Sequence, residues 1–226
     1  MLKRGFVVFS FLLLTGCTTF INQTTTHEAV DWVDTLMVLD NKYTYNDEAT
    51  ATLTDIVIGE ELGEVTYMMA DNAKSNHQME NGHAAFLSVG TKIYELRGYD
   101  SSYRVIADNK IYEIATPEKA TVLGDFLDLE GKVDVVTIES NIDGSDLYDF
   151  SKEDSAAFVE ELLSLKYVNY ANVDTSTSNE ENRVFVRIYL EDDTSTSFVY
   201  WLETGGLSLG AYESDTLRVI FEKARK

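Results

Sequence analysis

Apolar and polar residues alternate at 184–191 and 197–202 with the two-residue period of half-buried β-strands. Stretches rich in β-branched and aromatic residues recur at short intervals, and turn-forming residues separate them. The pattern predicts strands at 50–58, 64–70, 84–89, 92–97, 103–107, 110–115, 133–139, 146–150, 184–191 and 197–202. Asp108-Asn109 and the segment 141–145 have the turn chemistry that joins neighbouring strands, so each predicts a hairpin.

Three segments instead repeat apolar residues at steps of three and four, which predicts helices. They are 27–39, the stretch that follows Ser151, and 217–224. Ser151 can cap the free amides of the second helix, and the acidic residues after it would lie in the positively polarised first turn. The predicted fold class is therefore α+β.

The single proline, Pro117, and the nearby Gly124 mark a predicted domain boundary. We expect a β-rich domain at 27–120, folded as a small barrel or a curled sheet. The domain expected at 121–226 is α+β, with an antiparallel β-meander flanked by helices. About 200 residues are enough for one large domain or for two small ones.

The N-terminus has the features of a secretory signal. Lys3 and Arg4 precede an uncharged, mainly apolar run at 5–14. As a helix this run would rise only about 15 Å, which is too short to span a bilayer.

The residues that follow, Leu14-Thr15-Gly16-Cys17, resemble the lipobox of bacterial lipoproteins. The resemblance implies a signal peptide at 1–16, a lipid on the Cys17 sulfur and a location on the extracytoplasmic face of the cell membrane. Each buried methylene contributes about 0.8 kcal/mol, so two or more acyl chains would anchor the protein stably. The polar segment 17–26 then forms a lipid-anchored tether.

Composition narrows the chemistry further. Cys17 is the only cysteine, which excludes internal disulfides and cysteine-based zinc sites. The formal net charge is −21, and loss of the basic signal makes the mature chain still more negative. Such a field repels nucleic acid and attracts cations and basic partners. We therefore expect no nucleic-acid partner.

Three stretches carry a family resemblance: Ile58–Val65, Asn81–Leu87 and Gly90–Tyr99. In these stretches the chain resembles a group of uncharacterised lipobox-containing surface lipoproteins of Gram-positive bacteria. The resemblance implies a shared fold without a known activity. It also implies a strand at Leu36–Leu39, which competes with the helix predicted there.

Few residues are available for metal or nucleophilic chemistry. The histidines are His27, His77 and His83, and with so few a Ser/His/Asp triad has almost no candidates. The spacing of His77, Glu80 and His83 does not match a zinc-peptidase helix, so the segment 71–82 predicts a surface loop. Paired carboxylates could hydrolyse glycosidic bonds, but no feature selects one pair among 39 acidic residues.

Glu139, Asn141 and Asp143, followed by Gly144, match part of a calcium loop. The twelfth position holds Phe150 where an EF-hand has a bidentate glutamate. A weak calcium site and a plain hairpin turn therefore both stay open.

Aromatic residues gather in two strand-rich regions: Tyr94, Tyr99, Tyr103 and Tyr112 in one, and Tyr200-Trp201 in the other. Exposed rings could stack on cell-wall sugars or a protein partner, whereas buried rings would only cover a sheet. We expect no cofactor and no enzymatic activity. The sequence predicts a membrane-anchored binding or interaction module, with an extracytoplasmic calcium binder and a carboxylate-based hydrolase as alternatives.

Overall fold

The structure is a computed structural model, which describes residues 33–53, 57–70, 72–74, 76–176 and 182–224. The predicted signal peptide, the tether and Cys17 lie outside the described residues. Two β-sheets and three helices form the described part, so the fold is α+β, as the sequence predicts. Within the described ranges, none of the helices has the length and apolar character needed to cross a membrane.

The first sheet curls back on itself. It contains β1 (Thr35–Val38), β2 (Asn41–Tyr45), β3 (Ile58–Glu64), β4 (Tyr67–Met68), β5 (His83–Ala84), β6 (Lys92–Leu96), β7 (Arg104–Ala107) and β8 (Lys110–Thr116). The spatial order is β3-β6-β7-β8-β2-β1-β5-β4. A flat sheet of this size would hold β3 and β4 about 34 Å apart. Only Val65 and Thr66 join the two strands, and such a link reaches about 11 Å. The predicted curled sheet is therefore confirmed.

The second sheet is an antiparallel meander in the order β10-β9-β11-β12-β13-β14. Its strands are β9 (Val133–Glu139), β10 (Asp146–Asp149), β11 (Arg183–Leu190), β12 (Ser195–Trp201), β13 (Gly206–Leu207) and β14 (Ala211–Tyr212). The helices are α1 (Asp47–Thr52), α2 (Lys152–Ser164) and α3 (Asp215–Ala224), and short 3₁₀ turns lie at Leu123–Asp125 and Tyr170–Asn172. Apolar residues of α2 and α3 share one buried core with this sheet, which confirms the predicted meander flanked by helices.

Local signals placed several elements correctly. The Ser151 hydroxyl accepts a hydrogen bond from the Asp154 amide at 3.1 Å and so caps α2. Asp108 and Asn109 have φ values of 51° and 58°, the left-handed conformation that a two-residue hairpin turn requires. The hairpin between β7 and β8 is therefore confirmed.

Two predictions near the N-terminus are wrong. Thr35–Val38 is strand β1, so the helix predicted at 27–39 fails there, and residues 27–32 lie outside the described part. Pairing with β2 and β5 buries Leu36 completely, which supports the strand alternative. The strand predicted at 50–58 is wrong at its start, where residues 50–52 belong to α1. The Asn46 side chain accepts a hydrogen bond from the Ala49 amide at 2.8 Å, and the Thr50 hydroxyl donates one to the Asn46 carbonyl at 2.7 Å.

Each sheet draws on one part of the chain. Strands of the first sheet lie within 35–116 and those of the second within 133–212. The segment between them contains the predicted boundary at 120, and the division into two domains stays a prediction. Tyr103, which precedes β7, belongs to the core of the second sheet. The two sheets therefore pack against each other at this point.

Candidate functional site

A buried arginine joins the two sheets. Arg104, the first residue of β7, has no exposed surface and forms an ion pair with Glu113 of β8. Its Nε donates a hydrogen bond to Glu113 Oε1 at 2.8 Å, and its Nη1 donates to Thr194 Oγ1 at 2.7 Å. Its Nη2 also donates to the carbonyl of Ser195 at 3.3 Å. Since Thr194 and Ser195 lie at the turn between β11 and β12, one side chain connects both sheets. We call these four residues the junction frame.

Two aromatic rings and a threonine complete the surroundings of the Arg104–Glu113 ion pair. The guanidinium carbon of Arg104 lies 4.5 Å from the ring centre of Tyr99 and 5.0 Å from that of Tyr103. These are cation–π distances, and the rings replace part of the lost hydration. Glu113 also accepts a hydrogen bond from Thr196 Oγ1 at 3.0 Å. The buried charges are thus paired and hydrogen-bonded, as burial requires.

A second arginine reinforces the same junction. Arg187 of β11 forms ion pairs with Glu139 of β9 and with Glu48 of α1. The Asn46 side-chain amide donates to the Ser195 carbonyl at 3.1 Å. Helix α1 is thereby held against the second sheet, and the junction has polar contacts from three separate elements of the first 116 residues.

A cleft of about 400 Å³ opens beside the junction frame. We call it the junction cleft. It is lined by Leu53, Leu96, Arg97, Gly98, Tyr99, Lys132, Glu191, Asp192 and Asp193. Clefts of this size at the meeting point of two structural units are the usual place for small-ligand sites.

The lining combines apolar surface with charges of both signs. Leu53 and Leu96 supply the apolar part, and the run Glu191–Asp193 in the β11–β12 turn supplies three acidic side chains. Arg97 and Lys132 add two cations, of which Lys132 forms an ion pair with Asp128. A ligand that carries an apolar group beside a basic group would match the apolar surface and the acidic turn.

The pKa values of Tyr99 and Asp192, two groups in the junction cleft, are both shifted away from pH 7. Burial raises the pKa of Tyr99 to about 12, and its hydroxyl donates to Asp192 Oδ2 at 2.6 Å. Burial acts to raise the pKa of Asp192, but hydrogen bonds from Thr194 and Tyr99 outweigh it, so the pKa is lowered. Near pH 7 Tyr99 stays a donor and Asp192 stays an anion.

The predicted calcium ligands are occupied in other ways. Glu139 is buried and paired with Arg187, whereas Asn141 and Asp143 lie in the exposed turn between β9 and β10. Asp143 Oδ1 accepts hydrogen bonds from the Ser145 amide at 3.1 Å and hydroxyl at 2.8 Å, which is an Asx turn. Among the described residues, no group of three or more His, Asp or Glu side chains is suited to hold a metal ion. Calcium binding here stays a prediction.

Two of the three histidines lie close together, a contact that the sequence did not predict. His77 Nε2 and His83 Nδ1 are 3.1 Å apart, while His27 lies outside the described residues. Burial lowers the pKa of His83, and the neighbouring His77 lowers it further by a smaller amount. The described residues within 71–82 contain no helix or strand, as the predicted loop requires.

Most of the tyrosines singled out from the sequence cover the core. Tyr103, Tyr112 and Tyr200 are buried, as is Trp201, while Tyr94 is half-buried. Their burial supports the sheet-covering alternative over stacking on sugars. Tyr99 differs from them because its ring lines the junction cleft.

One catalytic spacing was missed in the sequence. Residues 206–210 read Gly-Leu-Ser-Leu-Gly, the spacing of a nucleophile elbow. Such an elbow joins a strand to a helix, whereas Ser208 lies in the turn between strands β13 and β14. Its Oγ accepts a hydrogen bond from the Val199 amide at 2.9 Å. The serine therefore fastens a hairpin to β12.

No protein-family model matches this chain, and comparison with curated proteins and with solved structures gives no match either. The fold and the junction cleft are therefore the basis for a functional proposal.

Proposed function

We propose that this chain is a membrane-anchored extracytoplasmic lipoprotein that acts as a non-enzymatic binding module. The lipid on Cys17 would hold it at the cell surface, and the ligand would enter the junction cleft. The observation that carries the proposal is the position of this cleft beside the buried junction frame. Because Arg104 fixes the two sheets against each other, the cleft walls are pre-organised, which lowers the cost of binding.

The lining indicates the class of ligand. The acidic side chains of Glu191–Asp193 outnumber the two cations of the lining and so favour a basic group, and Leu53 and Leu96 offer contact to an apolar one. A short peptide segment with a basic side chain beside an apolar side chain supplies both. At the cell surface such segments belong to partner proteins and to the peptide part of the cell wall.

Site-directed photo-crosslinking on live cells tests this proposal. Replacing the exposed Arg97 with p-benzoylphenylalanine places the reactive group at the cleft and leaves the acidic turn intact. The matched control carries the same residue at Ile142, whose side chain is 87% exposed in the β9–β10 turn. We expect a discrete adduct from position 97 and none from position 142, and mass spectrometry identifies the captured species.

The captured species then separates the two sources of peptide. One stoichiometric protein establishes a partner, and wall fragments establish a polymer ligand. Equal capture at positions 97 and 142, or none at either, would remove the junction cleft as the binding site.

The anchor has its own test. We expect Cys17→Ser to leave an unprocessed precursor that takes up no labelled fatty acid, because the sulfur that receives the lipid is gone. Metabolic labelling followed by gel electrophoresis measures this, with the unaltered chain as the positive control. Labelling of the Cys17→Ser chain would overturn the lipoprotein assignment.

A further inference from the structure

The pair of histidines beside Tyr67 lies at one edge of the first sheet, where His77 is in a loop, and takes no part in the junction cleft. His83 belongs to β5, and Tyr67 pairs with it across the parallel ladder of β4 and β5. The Tyr67 ring stacks on His77 at 5.2 Å and lies 5.0 Å from the His83 ring. One aromatic side chain therefore contacts both imidazoles and restricts their orientation.

Backbone geometry brings His83 to this position. Gly82 has a φ of 84°, and its amide donates to the Met37 carbonyl at 2.8 Å. A Cβ atom at Gly82 would lie 2.6 Å from Thr66 Oγ1, so this close approach requires glycine. The turn that leads into β5 is thereby fixed to β1, and His83 follows it directly.

The hydrogen bonds define which nitrogen carries a lone pair. The Glu80 amide donates to His83 Nδ1 at 3.1 Å. Since an amide N–H only donates, His83 Nδ1 is unprotonated, the state in which imidazole binds a metal. His77 Nε2 lies 3.1 Å from that same atom, so the two ring nitrogens are close enough to bind one metal ion.

We propose that His77 Nε2 and His83 Nδ1 together bind a divalent transition-metal ion of the nitrogen-preferring kind: Zn²⁺, Ni²⁺ or Cu²⁺. With metal–nitrogen bonds of about 2.0–2.1 Å, the observed separation subtends about 95–102° at the metal. This angle lies between the square-planar and tetrahedral values. In the metal-free pair, His77 donates its Nε2 proton to His83. On binding, that proton moves to Nδ1 of His77, and the ion displaces the amide of the exposed Glu80 from His83 Nδ1, so that both lone pairs reach the ion.

The remaining coordination positions face solvent. Both histidines are half-buried and Glu80 is exposed. Two protein ligands leave these positions to water or to a carboxylate of a partner. The site therefore differs from a closed structural zinc site, in which the protein supplies four ligands. It suits reversible binding of a metal ion at the surface.

Calorimetric titration of the full chain with ZnCl₂ tests the proposal. Cys17→Ser in the same chain removes the one thiol that could compete for zinc. About 1 mM Ca²⁺ in the buffer saturates weak carboxylate sites on the acidic surface. We expect one site per chain, and at about tenfold excess over the dissociation constant a rise in melting temperature of roughly 3–5 °C.

Single-histidine variants decide the assignment. We expect His77→Ala and His83→Ala each to weaken zinc binding at least about tenfold, as the loss of a ligand does. His27→Ala is the matched control and should leave it unchanged. Because His77 lies in a loop, His77→Ala keeps the test valid even if His83→Ala destabilises β5. Electron paramagnetic resonance with Cu²⁺ should show coupling to two nitrogens. Zinc binding that survives His77→Ala, or no site at all, overturns the proposal.

Discussion

Arg104→Met is expected to lower the free energy of unfolding by about 3–5 kcal/mol. The substitution keeps much of the side-chain volume but removes the charge, leaving Glu113 without its main partner. Glu113 is only 14% exposed and still accepts a hydrogen bond from Thr196, so its carboxylate stays desolvated. Thr194 Oγ1 also loses the hydrogen bond from Arg104, and the Ser195 carbonyl keeps only the one from the Asn46 side chain. Urea denaturation followed by circular dichroism measures the effect.

An exposed ion pair provides the matched control. Lys119→Met removes the partner of Glu118, but the Lys119 side chain is 84% exposed. Exposed pairs contribute about 0–1 kcal/mol, so this variant should be close to the parent protein. The double variant Arg104→Met/Glu113→Leu should recover part of the loss, because no uncompensated charge remains. If Arg104→Met costs no more than Lys119→Met, the junction frame does not hold the sheets together.

Phe158→Ala is expected to destabilise the protein by about 3–5 kcal/mol. Phe158 of α2 is completely buried between the helix layer and the second sheet. Its ring centre lies 5.6 Å from that of Phe150 in a stacked arrangement and 5.5 Å from that of Phe221 edge to face. Truncation opens a cavity among rigid rings that have little room to collapse. Thermal and urea denaturation both measure the loss.

The same substitution at an exposed position is the control. Phe86 is 45% exposed in the segment between β5 and β6, so Phe86→Ala removes a similar ring with less lost burial. We expect it to cost less than half as much as Phe158→Ala, since burial sets the transfer and cavity contributions. Equal losses from the two variants would mean that the α2 layer contributes little to the core.

Much of the fold could be predicted because its signals are local. Turn residues such as Asp108-Asn109 and the cap at Ser151 act within a few residues, and both placed their elements correctly. The strand predicted before Ile58 is wrong because Asn46 caps a helix there, and Ala49 of that helix is buried. The helix predicted at Thr35–Val38 is wrong because pairing with β2 and β5 outweighs the helical spacing of its apolar residues.

The candidate site could not be predicted because its contacts are remote in sequence. Arg104 and Thr194 are 90 residues apart, and neither belongs to a recognisable motif. One signal was present: Arg104 opens a strand whose other residues are Val105, Ile106 and Ala107. A charge in such a run indicates a buried partner without saying where it lies. His77 and His83 are only six residues apart, but the turn between them contacts β1 through the Gly82 amide, and the local pattern does not predict that contact.

The curled first sheet has a consequence for proteins confined to a surface. Crowding on a membrane favours strand-to-strand polymerisation of sheets with free edges. Here the edge strand β3 has register irregularities against β6 and carries Glu60, Glu61 and Glu64. The outer strand β10 of the second sheet also has an irregular register and places Asp146 and Asp149 at its ends. Bulged, acidic edges repel copies of themselves, so the proposed lipid-anchored form would resist fibre formation even at high density on a membrane.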